Sequence, residues 1–175
     1  MVPRDPARLR TSSYLALVPP PRVRNALAEL MTQVGTRDPA PHVTLVAPPE
    51  VPPGGAWLDA VRGVAAATAP FPIRLGETSS FDDRVRFLVV EGDGVYRLRD
   101  ALEGALELAP RVAPFVAHLT IAVAHHGHPL ATLDRESIPS FVHQPFVVEA
   151  LELLTRAGPA VAYVRDRSFP FAGAP

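Results

Sequence analysis

The 175-residue chain contains no cysteine and no lysine. Without cysteine it has no disulfide, no thiolate nucleophile and no cysteine-ligated zinc. All 17 of its basic residues are arginines, so a Schiff-base lysine, a P-loop lysine and an adenylated lysine are excluded. An ATP-dependent ligase that works through a lysyl-nucleotide intermediate is therefore impossible for this chain alone.

Long apolar runs are also missing. No stretch reaches the ~18 uninterrupted apolar residues of a membrane span, and the polar segment from Met1 to Ser13 has no apolar signal core. We therefore expect a cytoplasmic protein with no membrane partner. The formal net charge is −1, so any contact with nucleic acid must rest on a local group of arginines.

Strand and helix patterns follow one another along the chain, and one order of elements occurs twice. The first copy has a strand at 14–18, a helix at 22–34 and a strand at 42–47, and the second has these elements at 85–90, 94–108 and 117–123. This repeated order with short connections favours an α+β fold with largely antiparallel sheets. We expect a single domain, residues 1–175, in which two pseudo-symmetric lobes with flanking helices enclose a central cleft.

The remaining segments are predicted individually. A helix is expected from Trp57 to Ala65, and strands are expected at 71–75, within 141–154 and at 160–165. Gly76 to Asp83 is polar and predicts a turn, in which Phe81 stands alone. Asp93 is expected to cap the helix of the second copy.

The third element of each copy carries the same motif, apolar-His-apolar-Thr-apolar. The two versions read Pro-His-Val-Thr-Leu and Ala-His-Leu-Thr-Ile. Because alternate side chains of a strand share a face, His42 and Thr44 point one way together, and so do His118 and Thr120. Random placement of six His and nine Thr predicts only roughly 0.3 His-x-Thr matches. Two matches inside strand patterns therefore favour a functional cleft over two unrelated edge strands.

Paired His-x-Thr strands in this order of elements resemble the 2H phosphoesterase superfamily, and most closely its bacterial 2′-5′ RNA ligase-like group. The resemblance spans nearly the whole chain. Weaker matches flank the motifs, with Tyr14 in the first strand, Phe81 before the middle strand and Tyr163 in the last strand. The resemblance implies an RNA 2′,3′-cyclic phosphodiesterase that needs no metal or other cofactor.

By this resemblance, His42 and His118 form the acid/base pair, and Thr44 and Thr120 hydrogen-bond the phosphate oxygens. His118 would activate water and His42 would protonate the 3′-oxygen, leaving a 2′-phosphate. The reverse direction would join a cyclic phosphate to a 5′-hydroxyl without ATP. The implied partner is RNA with 2′,3′-cyclic phosphate ends or a small cyclic nucleotide, and the implied state is a monomer.

Two positions depart from the pattern of this superfamily. Ala117 stands where many members have proline before the second histidine, and Val123 stands where many have a basic residue. The second departure leaves open which arginine balances the phosphate charge. Phe81 and Tyr14 are candidates for stacking on a base, with core packing as the competing interpretation. Four arginines are candidates for phosphate contacts, with solvated surface charge as the commoner role: Arg22, Arg24, Arg84 and Arg86.

Other histidines offer alternative functions. His125, His126 and His128 are candidate metal ligands, but the glycine and proline among them favour a solvated loop. His143 lies in an apolar strand pattern and is expected to be structural. The alternatives to the phosphodiesterase are a non-catalytic protein that binds RNA ends and a metal-dependent hydrolase built on the loop histidines. Two titratable groups in the paired motifs argue for catalysis, because binding alone does not require them.

Overall fold

A computed structural model describes residues 12–36, 40–124, 137–158 and 162–173. Along the chain the elements are β1 (Ser12–Leu17), α1 (Pro21–Gln33), β2 (Val43–Val46), α2 (Trp57–Ala67), β3 (Phe71–Phe81), β4 (Val85–Glu91), α3 (Asp93–Ala105), β5 (His118–Val123), β6 (Phe146–Val148), β7 (Ala150–Arg156) and β8 (Val164–Pro170). Short 3₁₀ turns follow β2 at Pro48–Glu50 and precede β6 at Ser140–His143. Within the described ranges, no helix has the length and apolar character needed to span a membrane.

The described strands form one antiparallel sheet in the order β6-β3-β4-β5-β2-β1-β7-β8. The contact between β5 and β2 divides this order into two halves of four strands. In one half α1 connects β1 to β2, and in the other α3 connects β4 to β5. The predicted α+β fold with a repeated strand-helix-strand order is therefore confirmed, and the two motif strands are the central pair of the sheet.

One face of the sheet carries the main hydrophobic core, because all three described helices pack on that face. In α1 the buried residues Val23, Leu27, Leu30 and Met31 recur at helical spacing. They meet alternate residues of the strands, such as Leu15 and Leu17 of β1. Each fully buried leucine contributes about 1.5–3 kcal/mol of transfer free energy. The opposite face, called the open face below, carries a small apolar cluster of Tyr14, Ala16 and Leu154.

Several predicted element bounds were wrong. The motif strand predicted at 42–47 is Val43–Val46, so His42 lies one residue before it. The predicted turn from Gly76 belongs to β3, which continues to Phe81 because its polar residues pair with β4. Asp93 is the first residue of α3, and the cap position is Gly92. The last strand, β8, begins at Val164 and extends to Pro170, later than the predicted 160–165.

The β3–β4 hairpin turns through two aspartates. Asp82 and Asp83 have φ values of 47° and 51°, and the backbone N–H of Arg84 donates to the carbonyl of Phe81 at 2.9 Å. Such a turn requires positive φ at both central residues, which aspartate tolerates better than most residues. The tight turn holds Phe81 beside the second motif.

Candidate active site

The pairing of β2 with β5 aligns the two motifs. The residues that follow the two histidines, Val43 and Leu119, lie opposite each other in an antiparallel ladder. Both are completely buried on the helix-covered face. Extending the register by one residue in each direction sets each histidine opposite the threonine of the other motif: His42 opposite Thr120, and His118 opposite Thr44. These four side chains are half-buried and lie on the open face.

The register also sets the spacing between the two histidines. Side chains directly opposite in such a pair are roughly 4.5–5.5 Å apart at Cβ, and diagonal neighbours are roughly 7–8 Å apart. His42 and His118 are diagonal neighbours, with a threonine beside each. The register therefore places two imidazoles and two hydroxyls together on one face of the sheet. The sequence predicts the shared face, and the tertiary pairing brings the two motifs together on it.

Each imidazole is held by a hydrogen bond of the same kind, between its Nδ1 and a backbone carbonyl. Nδ1 of His42 lies 2.5 Å from the carbonyl of Ala40, and Nδ1 of His118 lies 2.8 Å from the carbonyl of Val116. A carbonyl oxygen only accepts, so Nδ1 is the donor in both rings. The proton on Nδ1 is therefore fixed, and Nε2 is the nitrogen that gains or loses a proton. Each bond reaches two residues back along the chain, so the pseudo-symmetry of the halves extends to the ring orientation.

The surroundings of His42 are aromatic and hydroxylated. The rings of Tyr14 and His42 lie 4.7 Å apart between centroids, and the Tyr14 hydroxyl is 3.4 Å from Nδ1 of His42. Tyr14 contacts Tyr163 edge-on at 4.5 Å, and the Tyr163 hydroxyl is hydrogen-bonded to Ser12 at 2.9 Å. Tyr14 is only 3% exposed. It therefore supports the His42 ring by packing, and little of its own face is open for a base.

The surroundings of His118 are aromatic and apolar. Phe81 meets its ring edge-on at 5.0 Å, and Phe87 lies 5.1 Å from it. The two phenylalanines contact each other at 4.3 Å. Phe81 is 37% exposed, whereas Phe87 is buried. Phe81 thus has free surface beside the second motif, which suits the predicted stacking role better than the buried Tyr14 does.

The other candidate residues lie elsewhere or outside the described part of the chain. His125, His126 and His128 are outside the described residues, and within the described ranges no group of three or more His, Asp or Glu is arranged to hold a metal ion. His143 was predicted within a strand, but it ends the 3₁₀ turn Ser140–His143 before β6, and its Nδ1 donates to the carbonyl of Leu75 at 2.8 Å.

The candidate arginines differ in their place relative to the second motif, because Arg86 pairs with Ala122 of β5, two residues after Thr120, whereas Arg22 lies on α1. The Arg22 guanidinium lies 4.3 Å above the ring of Phe141. Arg86 is half-buried, and its Nε has no hydrogen-bond partner among the described residues. Val123 itself is 46% exposed at the end of β5. The charge that balances a bound phosphate therefore does not come from this position.

A buried ion network supports β2 from the helix side. Arg99 of α3 is 1% exposed, and it donates to the carbonyl of Leu45, to Glu50 at 2.8 Å and to Glu103 at 2.6 Å. Glu50 also accepts from the backbone N–H of Ala47 at 2.7 Å. The network ties α3 to β2, the strand that carries Thr44 and directly follows His42. Sequence reasoning missed it, although an arginine among the apolar positions of α3 was a visible signal.

Glu50 is the ionisable group most affected by this network. Burial alone would raise the pKa of its carboxyl group. The hydrogen bonds from Arg99 and Ala47 and the charges of Arg99 and Arg111 outweigh burial, so the pKa is lowered from its ordinary value of 4.5. Glu50 is therefore a carboxylate at neutral pH, and it stabilises the buried guanidinium.

A comparison with models of protein families shows which family the chain belongs to. Residues 18–160 match the model of the 2′-5′ RNA ligase superfamily. The chain belongs to this superfamily. The family expected from the paired motifs is thereby confirmed. A comparison with curated protein sequences gave no match.

Solved structures of similar fold resemble the chain over nearly its whole length. TT0787 of Thermus thermophilus is 26% identical, with a TM-score of 0.69 over 94% of this chain and 100% of that chain. E. coli LigT, in complex with 3′-AMP, is 16% identical, with a TM-score of 0.68 over 92% of this chain and 98% of that chain. Membership of the superfamily supports an enzyme of the RNA phosphoesterase type.

Proposed function

We propose that the protein hydrolyses RNA 2′,3′-cyclic phosphate ends to 2′-phosphates with His42 and His118 as its acid/base pair. The observation that carries this proposal is the β2–β5 register, which sets each histidine opposite the threonine of the other motif. E. coli LigT, which is similar in fold, was crystallised with 3′-AMP and with phosphate. We propose the same class of ligand for the open face of this chain.

The reaction needs a base that takes a proton from water and an acid that gives a proton to the leaving 3′-oxygen. Neutral His118 accepts a proton at Nε2 from water, whose oxygen attacks phosphorus in line with the bond to the 3′-oxygen. That bond breaks, and the 3′-oxygen receives the Nε2 proton of the charged His42. The phosphate stays on the 2′-oxygen. Afterwards His118 is charged and His42 is neutral, and exchange with solvent restores the starting state.

The threonines act on the charge that develops during the attack. The hydroxyls of Thr44 and Thr120 donate to the two non-bridging oxygens, where negative charge accumulates in the transition state. Their donors are preorganised, because β2 and β5 are central strands whose backbones are held on both sides. With Val123 uncharged, the imidazolium of His42 and the two hydroxyls supply the stabilisation in this proposal.

The same groups suit ligation, which is the reverse of the cleavage of a 2′-5′ linkage. If a 5′-hydroxyl takes the place of water, its attack on the cyclic phosphate forms a 2′-5′ phosphodiester and releases the 3′-hydroxyl. The balance of protons is unchanged, so ATP is not required. The chain has no lysine for the alternative route through an adenylated enzyme.

The decisive experiment uses a short RNA with a 2′,3′-cyclic phosphate and identifies the product end. We expect a 2′-phosphate from the wild-type protein and from a variant in which His125, His126 and His128 are all replaced by alanine. Activity should persist in EDTA. Loss of turnover in EDTA that zinc or manganese restores, together with loss in the triple variant, would support the metal-dependent hydrolase. Tight binding of the RNA without turnover would support the RNA-end-binding protein.

A further inference from the structure

A row of contacts on the open face runs from the first motif to an arginine. The ring of His42 contacts Tyr14, and Tyr14 contacts Tyr163. The guanidinium carbon of Arg156 lies 4.6 Å from the centre of the Tyr163 ring. Arg156 is on the open face, because it alternates with Leu154, which packs against Tyr14 there.

Arg156 differs from the other open-face arginines because its guanidinium stacks on an aromatic ring. Arg86, opposite Ala122 of β5, also has a buried Nε without a hydrogen-bond partner in the described ranges, but it is not stacked on a ring there. Arg74 pairs with Glu91, and Arg165 pairs with Glu152. Arg156 makes no ion pair with any residue in the described ranges, and its buried Nε has no hydrogen-bond partner there. A guanidinium stacked on a ring keeps the N–H donors along its edge available, and those donors match the oxygens of a phosphate. Its charge and its donors therefore point to an anionic ligand.

The polarity of the two halves indicates which part of an RNA lies near this arginine. In the proposed reaction His42 serves the 3′-oxygen of the ribose, so the nucleotide chain that bears this ribose lies on the His42 half. That half carries tyrosine hydroxyls, Ser12 and Arg156. The His118 half, where water attacks, surrounds its histidine with the apolar pair Phe81 and Phe87, and its arginine, Arg86, lies farther along the strands opposite Ala122. The hydroxyl groups and the ring-stacked arginine of the first half suit a polyanionic chain better than the phenylalanine pair does.

We infer that Arg156 binds the phosphate that joins the terminal nucleotide to the preceding one, so the preferred substrate is an RNA oligonucleotide and not a cyclic mononucleotide. This inference rests on the proposed function. Two tyrosine rings separate Arg156 from His42, so its guanidinium does not serve the phosphate that reacts. A ligand that engages both must carry a second anionic group, and an RNA chain supplies one at each linkage.

The test is a thermodynamic cycle that combines one substitution in the protein with one neutralised phosphate in the substrate. Arg156→Gln and the wild-type protein are each assayed with a cyclic-phosphate dinucleotide and with the same dinucleotide carrying an uncharged methylphosphonate at the internal linkage. We expect Arg156→Gln to raise KM about tenfold for the charged dinucleotide, the effect of losing a hydrogen bond to a charged group. The methylphosphonate should remove most of this difference, whereas Arg156→Lys should show a smaller loss than Arg156→Gln.

Two controls keep the result interpretable. Arg62→Gln removes the same charge from an exposed site on α2, at the helix-covered face, where Arg62 pairs with Asp59, and it should leave KM for both dinucleotides near the wild-type value. Thermal melts check that Arg156→Gln remains folded. The slope of log affinity against log salt should fall by about 0.7 for Arg156→Gln with the charged dinucleotide.

The same four combinations of protein and ligand can be compared by measuring the equilibrium binding of the 2′-phosphate products. This measurement does not depend on turnover. If Arg156→Gln changes the affinity of charged and methylphosphonate ligands equally, or changes neither, Arg156 does not contact that phosphate and the inference is wrong. Suppose that neither the wild-type protein nor any variant opens a cyclic phosphate, but Arg156→Gln weakens binding of the charged ligand more than binding of the methylphosphonate ligand. The proposed reaction is then wrong, and the contact between Arg156 and the RNA chain is supported.

Discussion

Val43 pairs directly with Leu119, although the two residues belong to different copies of the motif. Continuing this antiparallel register by one residue in each direction sets His42 beside Thr120 and His118 beside Thr44. Each histidine of the motifs therefore has a hydroxyl from the other half beside it. The proposed site depends on both halves, and neither motif provides it alone.

Replacing either histidine of the motifs should abolish most turnover without unfolding the protein. We expect His42→Ala and His118→Ala to lower kcat by roughly 10²–10⁴, the usual effect of removing a proton-transfer group. The double variant should be little worse than the poorer single variant, because both groups serve one proton-transfer sequence. Single-turnover assays measure the rates.

Folding controls separate catalysis from structure in these variants. Both imidazoles are on the open face, so thermal melts of His42→Ala and His118→Ala should match the wild type. Leu45 is completely buried, so Leu45→Ala should lower the free energy of unfolding by roughly 2–5 kcal/mol. A histidine variant that unfolds, or that keeps full turnover, would show that the motif is structural.

The threonine hydroxyls should matter for rate more than for binding. Thr44→Val and Thr120→Val keep the shape of the side chain and remove the donor, so we expect kcat to fall by up to roughly 10²–10³. The change in KM should be smaller, because the hydroxyls act on charge that develops in the transition state. Equal kcat for Thr120→Val and the wild-type protein would contradict the proposed oxygen contacts.

The pH profile should reveal two groups in opposite protonation states. The mechanism needs His118 neutral and His42 charged, so kcat/KM should pass through a maximum and fall on both sides. His42→Ala should remove the alkaline fall, because it removes the acid, and His118→Ala should remove the acidic fall. A flat wild-type profile over about pH 5 to 9, with chemistry rate-limiting, would exclude this pair.

The buried network behind β2 predicts an acid-sensitive contribution to stability. The pKa of Glu50 is lowered in the folded protein, so its contribution is fully present above its unfolded pKa of about 4.5 and is lost as the pH falls through the folded pKa. Glu50→Gln should lower the free energy of unfolding at neutral pH by about 1–3 kcal/mol, because Arg99 loses a charged partner. It should also flatten the acid limb of the stability curve, measured by denaturant unfolding. If the loss of stability at low pH is the same in Glu50→Gln and the wild-type protein, other carboxyl groups cause that loss.

The ends of α1 and α3 offer a matched test of backbone strain. Both helices end with the same pair of C-terminal hydrogen bonds, but the left-handed position is Gly35 (φ 82°) after α1 and Glu107 (φ 50°) after α3. Glu107→Gly should raise the free energy of unfolding by about 1 kcal/mol, because it relieves that strain. Gly35→Ala should lower the free energy by a similar amount. Denaturant titration measures both, and a destabilising Glu107→Gly would show that its side chain makes a compensating interaction.

Local patterns in the sequence were enough to predict much of this protein. Helical spacing predicts α1 and α3, because the core buries one stripe of each helix. The alternation of apolar and polar residues predicts that His42 shares a face with Thr44, because a strand repeats every two residues. The absence of lysine excludes the adenylated-lysine route directly. The failures lie where tertiary pairing overrides composition, as in the polar second half of β3, which remains a strand because β4 pairs with it.

Register and long-range contacts were decided only by the tertiary structure. The sequence does not fix that Val43 lies opposite Leu119, and a slip of one residue would turn a whole motif to the other face. Nor does it predict that Arg99 donates to the carbonyl of Leu45 from a helix more than fifty residues away. The row from His42 to Arg156 likewise joins distant segments, because it runs from His42 before β2 through Tyr14 of β1 and Tyr163 before β8 to Arg156 of β7. Alternation is a local property of the backbone, whereas register depends on which strands meet, and only the packed sheet determines that.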